Sequence, residues 1–210
     1  MIVCWNCGTD LPSETRLCTE CQSLQPPRPG QDHFEALEVP RTFGLPLEVL
    51  EAAFKRLNRL YHPDRFATKG DRERRYSLEH ATAINDAWRT LRIPVKRAEY
   101  LLACWGRPVG ENAGRKISIP QDFLMEVLEL REEIADARME GNQATLDRKL
   151  EDAHARWRTH YTRAGELFRQ AEALPDSERS ARLDALEQEV LKLRYMHSML
   201  TDHGVTPGST

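Results

Sequence analysis

The chain has 210 residues, enough for one or two small domains with proper cores. Apolar residues make 40% and charged residues 30%, the balance of a soluble, helix-rich protein, and no run of 18 apolar residues offers a membrane span. The net charge is −3 but unevenly placed: residues 32–107 carry 14 Lys+Arg against 11 Asp+Glu, residues 121–205 carry 12 against 18, and nothing beyond one basic helix face indicates nucleic-acid binding. That split suggests two modules with different partners.

Residues 1–25 hold Cys4-x2-Cys7 and Cys18-x2-Cys21. Two such turns present two thiolates each, which completes a tetrahedral site. Gly8 after Cys7 suits the tight turn of a metal knuckle. The segment is too short to bury a core, so a metal would supply its folding energy. The reading is one structural zinc on Cys4, Cys7, Cys18 and Cys21, with a rubredoxin-like iron site and a redox dithiol pair as rivals. Residues 26–31, with Pro26, Pro27 and Pro29, are expected to be a semi-extended linker that separates this unit from the helices after it. No apolar signal segment or Arg-rich presequence precedes Cys4. The expectation is therefore a chain that stays where it is made, in the bacterial cytoplasm. A processed chain of the mitochondrial matrix is the alternative.

A short helix or turn opens near Asp32, anchored by Phe34, Leu37 and Val39. Leu47, Leu50, Phe54, Leu57 and Tyr61 then recur three and four apart, one stripe of an amphipathic helix. Lys55, Arg56 and Arg59 fall on its outer face. Pro63 cannot continue the helix and pushes His62 out of the helical region. His62, Pro63 and Asp64 therefore begin a loop, exposed at the helix end. A second helix from about Arg72 to Leu91 answers with Tyr76, Ile84, Ala87, Trp88 and Leu91, giving an antiparallel pair with His-Pro-Asp at its tip. A bare His-Pro-Asp also occurs by chance. A catalytic His–Asp pair is disfavoured, because nothing nearby supplies a nucleophile or an oxyanion site.

Pro94 starts another short helix that ends at Trp105-Gly106, with Gly106 as its left-handed cap, and residues 108–120 read as a connector. Three further helical stretches span about 121–140, 143–173 and 177–201, punctuated by Gly141 and Pro175. The last carries a heptad seam of Leu183, Leu186, Val190, Leu193, His197 and Leu200. Short joins make these helices antiparallel neighbours in a bundle over 121–205, ahead of a tail, 206–210; a coiled-coil dimer is the alternative. Leu124, Leu128 and Glu132 lie on one helix face with Met125 and Glu129 beside them, an apolar strip edged by carboxylates. Leu124 and Leu128 could instead belong to the bundle core with Phe123, Val127 and Ile134. Cys104 reads as a small buried apolar residue, and Trp88 and Trp157 as packing. His154, His160, His197 and His203 read as surface or packed histidines without a matched carboxylate.

The His-Pro-Asp loop between two helices resembles the J-domain. Three further segments are similar to one branch of it: Asp32-x-Phe34, Ile84-Asn85-x-Ala87-Trp88-x-Thr90-Leu91, and Arg97-Ala98-Glu99-Tyr100-Leu101-Leu102. Phe123-Leu124-Met125-Glu126-x-Leu128-Glu129-Leu130-Arg131-Glu132-Glu133 and Lys192-Leu193-Arg194-Tyr195 resemble the C-terminal domain of the same branch. That branch is the HscB (Jac) type, the co-chaperones of iron–sulfur cluster assembly, in the form with a four-cysteine zinc unit. The resemblance covers about residues 32–205. It implies an all-α fold, a J-domain over 32–107 and a three-helix bundle over 121–205, preceded by the small zinc unit. It implies an adaptor rather than an enzyme. His62, Pro63 and Asp64, with Lys55, Arg56 and Arg59, would engage a DnaK/HscA-type ATPase and stimulate it. Leu124, Met125, Leu128, Glu129, Glu132 and Tyr195 would bind an IscU-type cluster scaffold. No membrane or nucleic-acid partner is implied, and a homodimer stays open. The rival functions are a general J-domain chaperone for unfolded clients and a zinc-dependent regulatory or redox protein.

Overall fold

The computed structural model describes residues 1–110, 114 and 117–208. The chain packs as two compact units: Met1–Arg41 with Leu45–Arg92, and Thr42–Gly44 with Ile93–Thr210. Part of the connector read over 108–120, residues 111–113, 115 and 116, lies outside the described residues, as do the last two residues of the tail. Among the described residues no helix is long and apolar enough to cross a membrane.

The first unit begins with a two-stranded antiparallel ribbon, β1 (Ile2–Val3) and β2 (Asp10–Leu11), joined by the first cysteine turn. Helix α1 (His33–Leu37) is set by a capping box: the Asp32 carboxylate accepts from the Glu35 amide at 2.8 Å, and the Glu35 carboxylate accepts from the Asp32 amide at 3.0 Å. Helix α2 (Leu47–Tyr61) buries Leu50, Ala53, Leu57 and Tyr61, the face that the stripe marks. It stops where Pro63 forces His62 into extended backbone (ψ 133°), and Pro63–Phe66 form a single tight 3-10 turn. Helix α3 (Asp71–Leu91) carries Asp71 and Glu73 in its first turn, where the helix dipole favours acids. It buries Tyr76, Ile84, Ala87 and Leu91 against α1 and α2. Phe54 stacks on Trp88 at 4.9 Å and the Ser77 hydroxyl donates to the Tyr61 carbonyl at 2.9 Å, so α2 and α3 run antiparallel.

Helix α4 (Pro94–Cys104) belongs to the second unit and packs on α7 there. The bundle proper is α5 (Gln121–Met139), α6 (Gln143–Glu172) and α7 (Asp176–Asp202). Gly141 takes φ +66° at the first join, and the Asn142 side chain caps α6 by accepting from the Thr145 amide. Lys149–Glu133 and Arg156–Glu126 pair α6 with α5, and Arg107 grips the buried Glu187 of α7 at 3.0 Å. The core holds Trp157, Phe168, Ile134 and the α7 seam residues Leu183, Leu186, Val190, Leu193 and Leu200, all buried.

Two sequence expectations fail here. Cys104 is exposed at the end of α4, not buried. His160 does have a carboxylate: its Nδ1 lies 2.6 Å from Glu189 on α7, a partner 29 residues away that no local pattern reveals.

Candidate functional site

Three features carry the chemistry. The first is the four-cysteine unit. The two turns are copies offset by 14 residues. The Gly8 amide donates to the Cys4 carbonyl and the Gln22 amide to the Cys18 carbonyl, both at 3.0 Å. Gly8 has φ +78° and Gln22 φ +59°, so the second turn places a side chain where glycine is the unstrained residue. Thr9 Oγ1 lies 3.2 Å from Cys7 Sγ, and Ser23 Oγ lies 3.0 Å from Cys21 Sγ. Cysteine spacing alone misses these two hydroxyls, although the repeat that places one two residues after each second cysteine is visible in the sequence.

The four Sγ atoms lie within 4.8 Å of one another, with Cys4 to Cys21 at 3.7 Å and Cys7 to Cys18 at 3.6 Å. Metal–sulfur bonds of about 2.3 Å in a tetrahedron put sulfurs about 3.8 Å apart, so the donor set fits a tetrahedral ion. Desolvation opposes ionisation of Cys4, but hydrogen bonds from the Ser23 hydroxyl and the Cys7 and Asn6 amides bring its thiol down to about 5. The Ser23 hydroxyl leads in lowering Cys21 to about 7. Amide bonds from Cys21 and Glu20 act the same way on Cys18, yet burial and the neighbouring thiols of Cys21 and Cys7 raise it to about 11. Such crowding favours a cation, since the last thiolate forms readily only beside a positive charge.

The last residue of this unit, just before the stretch read as a separating linker, fixes it to the helices. Gln25 is buried; its backbone amide donates to the Arg16 carbonyl at 2.8 Å, and its own carbonyl meets His80 Nε2 at 3.0 Å. The unit and helices α1–α3 form one compact body, which a separating linker would not give.

The second feature is the His-Pro-Asp loop. Tyr61 before it and Phe66 after it are buried, and the residues between them point outward. The side chains of His62 and Asp64 are 47% and 91% exposed. His62 Nδ1 accepts from the Asp64 amide at 3.3 Å, and the Arg65 amide donates to the His62 carbonyl at 3.0 Å. The loop is thus an outward tip clamped at both ends. Lys55, Arg56 and Arg59 are exposed on α2. Lys55 pairs with Glu51 at 2.8 Å and Arg56 with Glu38 at 2.7 Å, so this basic face is partly neutralised from within.

The third feature is α5. Its core face is Phe123, Val127, Leu130, Ile134 and Ala137. Leu124, Met125 and Leu128 lie off that face, 39%, 51% and 51% exposed, and Tyr195 on α7 is 39% exposed. Glu129 and Glu132 are exposed as well. The core alternative for Leu124 and Leu128 is therefore wrong. Beside the strip, a groove of about 580 Å³ runs between α5 and α6, with Glu126, Glu129, Glu133, Lys149, Asp152 and Arg156 in its lining.

Comparison with known proteins agrees with this architecture. The family model described as the HSCB C-terminal oligomerisation domain matches residues 119–202. The chain is 35% identical over 147 residues to the mouse iron–sulfur cluster co-chaperone protein HscB and 34% to the human one, covering 69% of this chain and 62% of each relative's length. It is 38% identical over 136 residues to the co-chaperone protein HscB homolog of Burkholderia multivorans, covering 65% of this chain and 77% of that protein. The crystal structure of the human co-chaperone protein HscB superposes with a TM-score of 0.81 at 26% identity, covering 96% of both chains. The chaperone HscB from Vibrio cholerae superposes with a TM-score of 0.66 at 29% identity, covering 82% of this chain and 94% of that one. With a J-type hairpin, a three-helix bundle and a four-cysteine cluster in one chain, and relatives of this identity over most of their length, the protein belongs to the HscB family of co-chaperones.

Proposed function

We propose that this chain brings a loaded IscU-type cluster scaffold to a DnaK/HscA-type chaperone and stimulates its ATPase, without being an enzyme itself. The observation that carries the reading is the tip at His62-Pro63-Asp64. Two polar side chains are offered to solvent on a backbone clamped by buried Tyr61 and Phe66, so presenting them to a partner costs little ordering entropy. Lys55, Arg56 and Arg59 on α2 supply electrostatic steering toward an acidic surface. The scaffold would dock on Leu124, Met125 and Leu128, with Glu129 and Glu132 as a selective rim and Tyr195 as an aromatic contact. A general holdase for unfolded clients would need a broader apolar surface than three side chains on one helix.

The metal proposed for Cys4, Cys7, Cys18 and Cys21 is one structural zinc per chain. The bacterial cytoplasm is the proposed compartment, with the mitochondrial matrix as the alternative, since relatives occur in bacteria and mammals. The test uses the full chain, a purified DnaK-type ATPase and a cluster scaffold. Wild type should raise ATP turnover, the scaffold should raise it further, and His62→Gln should abolish both effects with the fold intact. Equal stimulation by wild type and His62→Gln would end this reading.

A further inference from the structure

The residue from which the His-Pro-Asp loop departs is Tyr61, and two of the groups that hold its ring trace back to the four-cysteine unit. The Arg16 guanidinium, from the segment between the two cysteine turns, lies 5.4 Å from the centre of the Tyr61 ring. The same guanidinium donates to the Glu35 and Ala36 carbonyls at 3.0 Å each, capping the end of α1, and pairs with Glu38 at 3.4 Å. Glu38 in turn holds Arg56 on the exposed face of α2. His80 also stacks on Tyr61, with ring centres 5.1 Å apart. His80 is buried, and a carbonyl can only accept, so His80 Nε2 carries the proton and donates it to the Gln25 carbonyl at 3.0 Å. The Gln25 amide group donates to the Ser23 carbonyl at 2.9 Å and lies 3.4 Å from Cys4 Sγ. A continuous set of contacts therefore runs from a metal-ligating sulfur through Gln25 and His80 to Tyr61, with Arg16 closing the ring.

We infer that the four-cysteine unit is a brace for the His-Pro-Asp loop, in which Arg16 and His80 are positioning residues and the bound metal keeps them in place. The unit is too small to hold its own shape without an ion. When the ion leaves, Arg16 and the Gln25 carbonyl lose their fixed positions, while α2 and α3 keep Leu50, Leu57, Ile84 and Leu91 buried against each other. The Ser77 bond to the Tyr61 carbonyl remains, so what loosens first is the Tyr61 side chain, and with it the tip that departs from this residue. This rests on the proposed ATPase-stimulating role for its consequence, but not for its structural content.

The experiment compares zinc-loaded full chain, the same chain after chelation, Arg16→Ala, and His80→Phe, which keeps the stacking ring and removes the bond to Gln25. Zinc content, far-UV circular dichroism and amide order parameters of His62, Asp64 and Arg65 are measured on each, then maximal ATPase stimulation and the concentration giving half of it. In the loaded chain the order parameters should be about 0.85, and after chelation below about 0.6 with helix content retained. Arg16→Ala and His80→Phe should keep their zinc, lower the same order parameters, and reduce maximal stimulation about tenfold with a smaller change in half-saturating concentration. A tip as rigid without metal as with it would overturn the brace, as would both variants matching wild type in these amides. Failure of wild type to stimulate any ATPase would instead sink the functional proposal, and the order parameters would still decide the brace.

Discussion

Replacing Leu124 and Leu128 together by Ala separates a docking strip from a core strip by magnitude. Fully burying a leucine side chain is worth about 1.5–3 kcal/mol. Leu124 retains 39% of its surface in water and Leu128 retains 51%, and only that remainder is available for a partner to cover. The two together can then contribute roughly 1.5–2.5 kcal/mol to binding, a roughly tenfold to seventyfold rise in Kd when both are truncated. By the same scaling, the part of each side chain already covered sets a stability cost of no more than about 2 kcal/mol for Leu124→Ala or Leu128→Ala taken singly, below the about 2–5 kcal/mol expected for a fully buried position such as Ile134→Ala. Titration calorimetry with the scaffold protein reads the first quantity, and urea unfolding of the single variants reads the second. If each single variant loses as much stability as Ile134→Ala and the double variant binds scaffold with unchanged Kd, the surface assignment of this face is wrong.

Asp64→Asn should abolish ATPase stimulation while shifting unfolding free energy by no more than about 0.5 kcal/mol, because its side chain is 91% exposed; urea denaturation beside a coupled ATPase assay checks both halves. Elemental analysis of purified protein should find close to one zinc per chain, and Cys7→Ser should lower that value sharply; a red iron chromophore as isolated would identify the other tetrahedral thiolate metal. Stability should also fall on acidification through His80. Burial, opposed by the Gln25 carbonyl and modulated by Arg16 and Glu38, holds its folded pKa at about 4, against about 6.5 in an unfolded chain. Between those values the unfolded chain binds a proton that the folded one does not. The contribution of the neutral ring is therefore complete above pH 6.5 and is lost as pH drops toward 4, by about 2 kcal/mol at pH 5. Unfolding at pH 7 and pH 5 should show this extra loss in wild type and not in His80→Phe; parallel losses would place the acid sensitivity elsewhere.

The helices were legible because their signals are local. Pro63, Pro94, Gly141 and Pro175 stop or start elements by backbone sterics alone, and the α2 stripe follows from periodicity. On α5 periodicity was insufficient. Apolar residues at 123, 124, 125, 127, 128 and 130 cover most of the helix circumference, so the sequence allowed both a core and a surface place for Leu124 and Leu128. Only the packing of α6 and α7 against Phe123, Val127 and Leu130 separates them. Cys104 departs from its reading because cysteine is among the residue types most often buried, whereas the last turn of α4 leaves this one in solvent. The His160–Glu189 pair joins two helices and has no expression in either one alone.

Gln25 shows why the coupling of the metal unit to the tip escaped a reading by composition. Gln25 stands directly before Pro26 and Pro27, at the edge of the stretch read as a linker, and proline rings favour extended backbone there. Extended backbone at this point has one free amide and one free carbonyl on Gln25, and each meets a specific partner: the Arg16 carbonyl on one side, His80 on the other. Proline composition constrains the torsions of a segment but says nothing about where its polar groups go, and a buried backbone group must go somewhere. The same stretch can therefore be stiff in sequence and a docking strand in structure. That second role makes Gln25→Ala informative beside His80→Phe. It removes the side-chain bonds to Ser23 and the approach to Cys4 while keeping the carbonyl, so it should weaken zinc retention more than it loosens the tip, the reverse of the order expected for His80→Phe. Zinc release to a chromogenic chelator and the Arg65 amide order parameter, measured on both variants, give the two rankings. Identical rankings would mean that the contacts from Cys4 to Tyr61 act as one indivisible cluster rather than as a path with two ends.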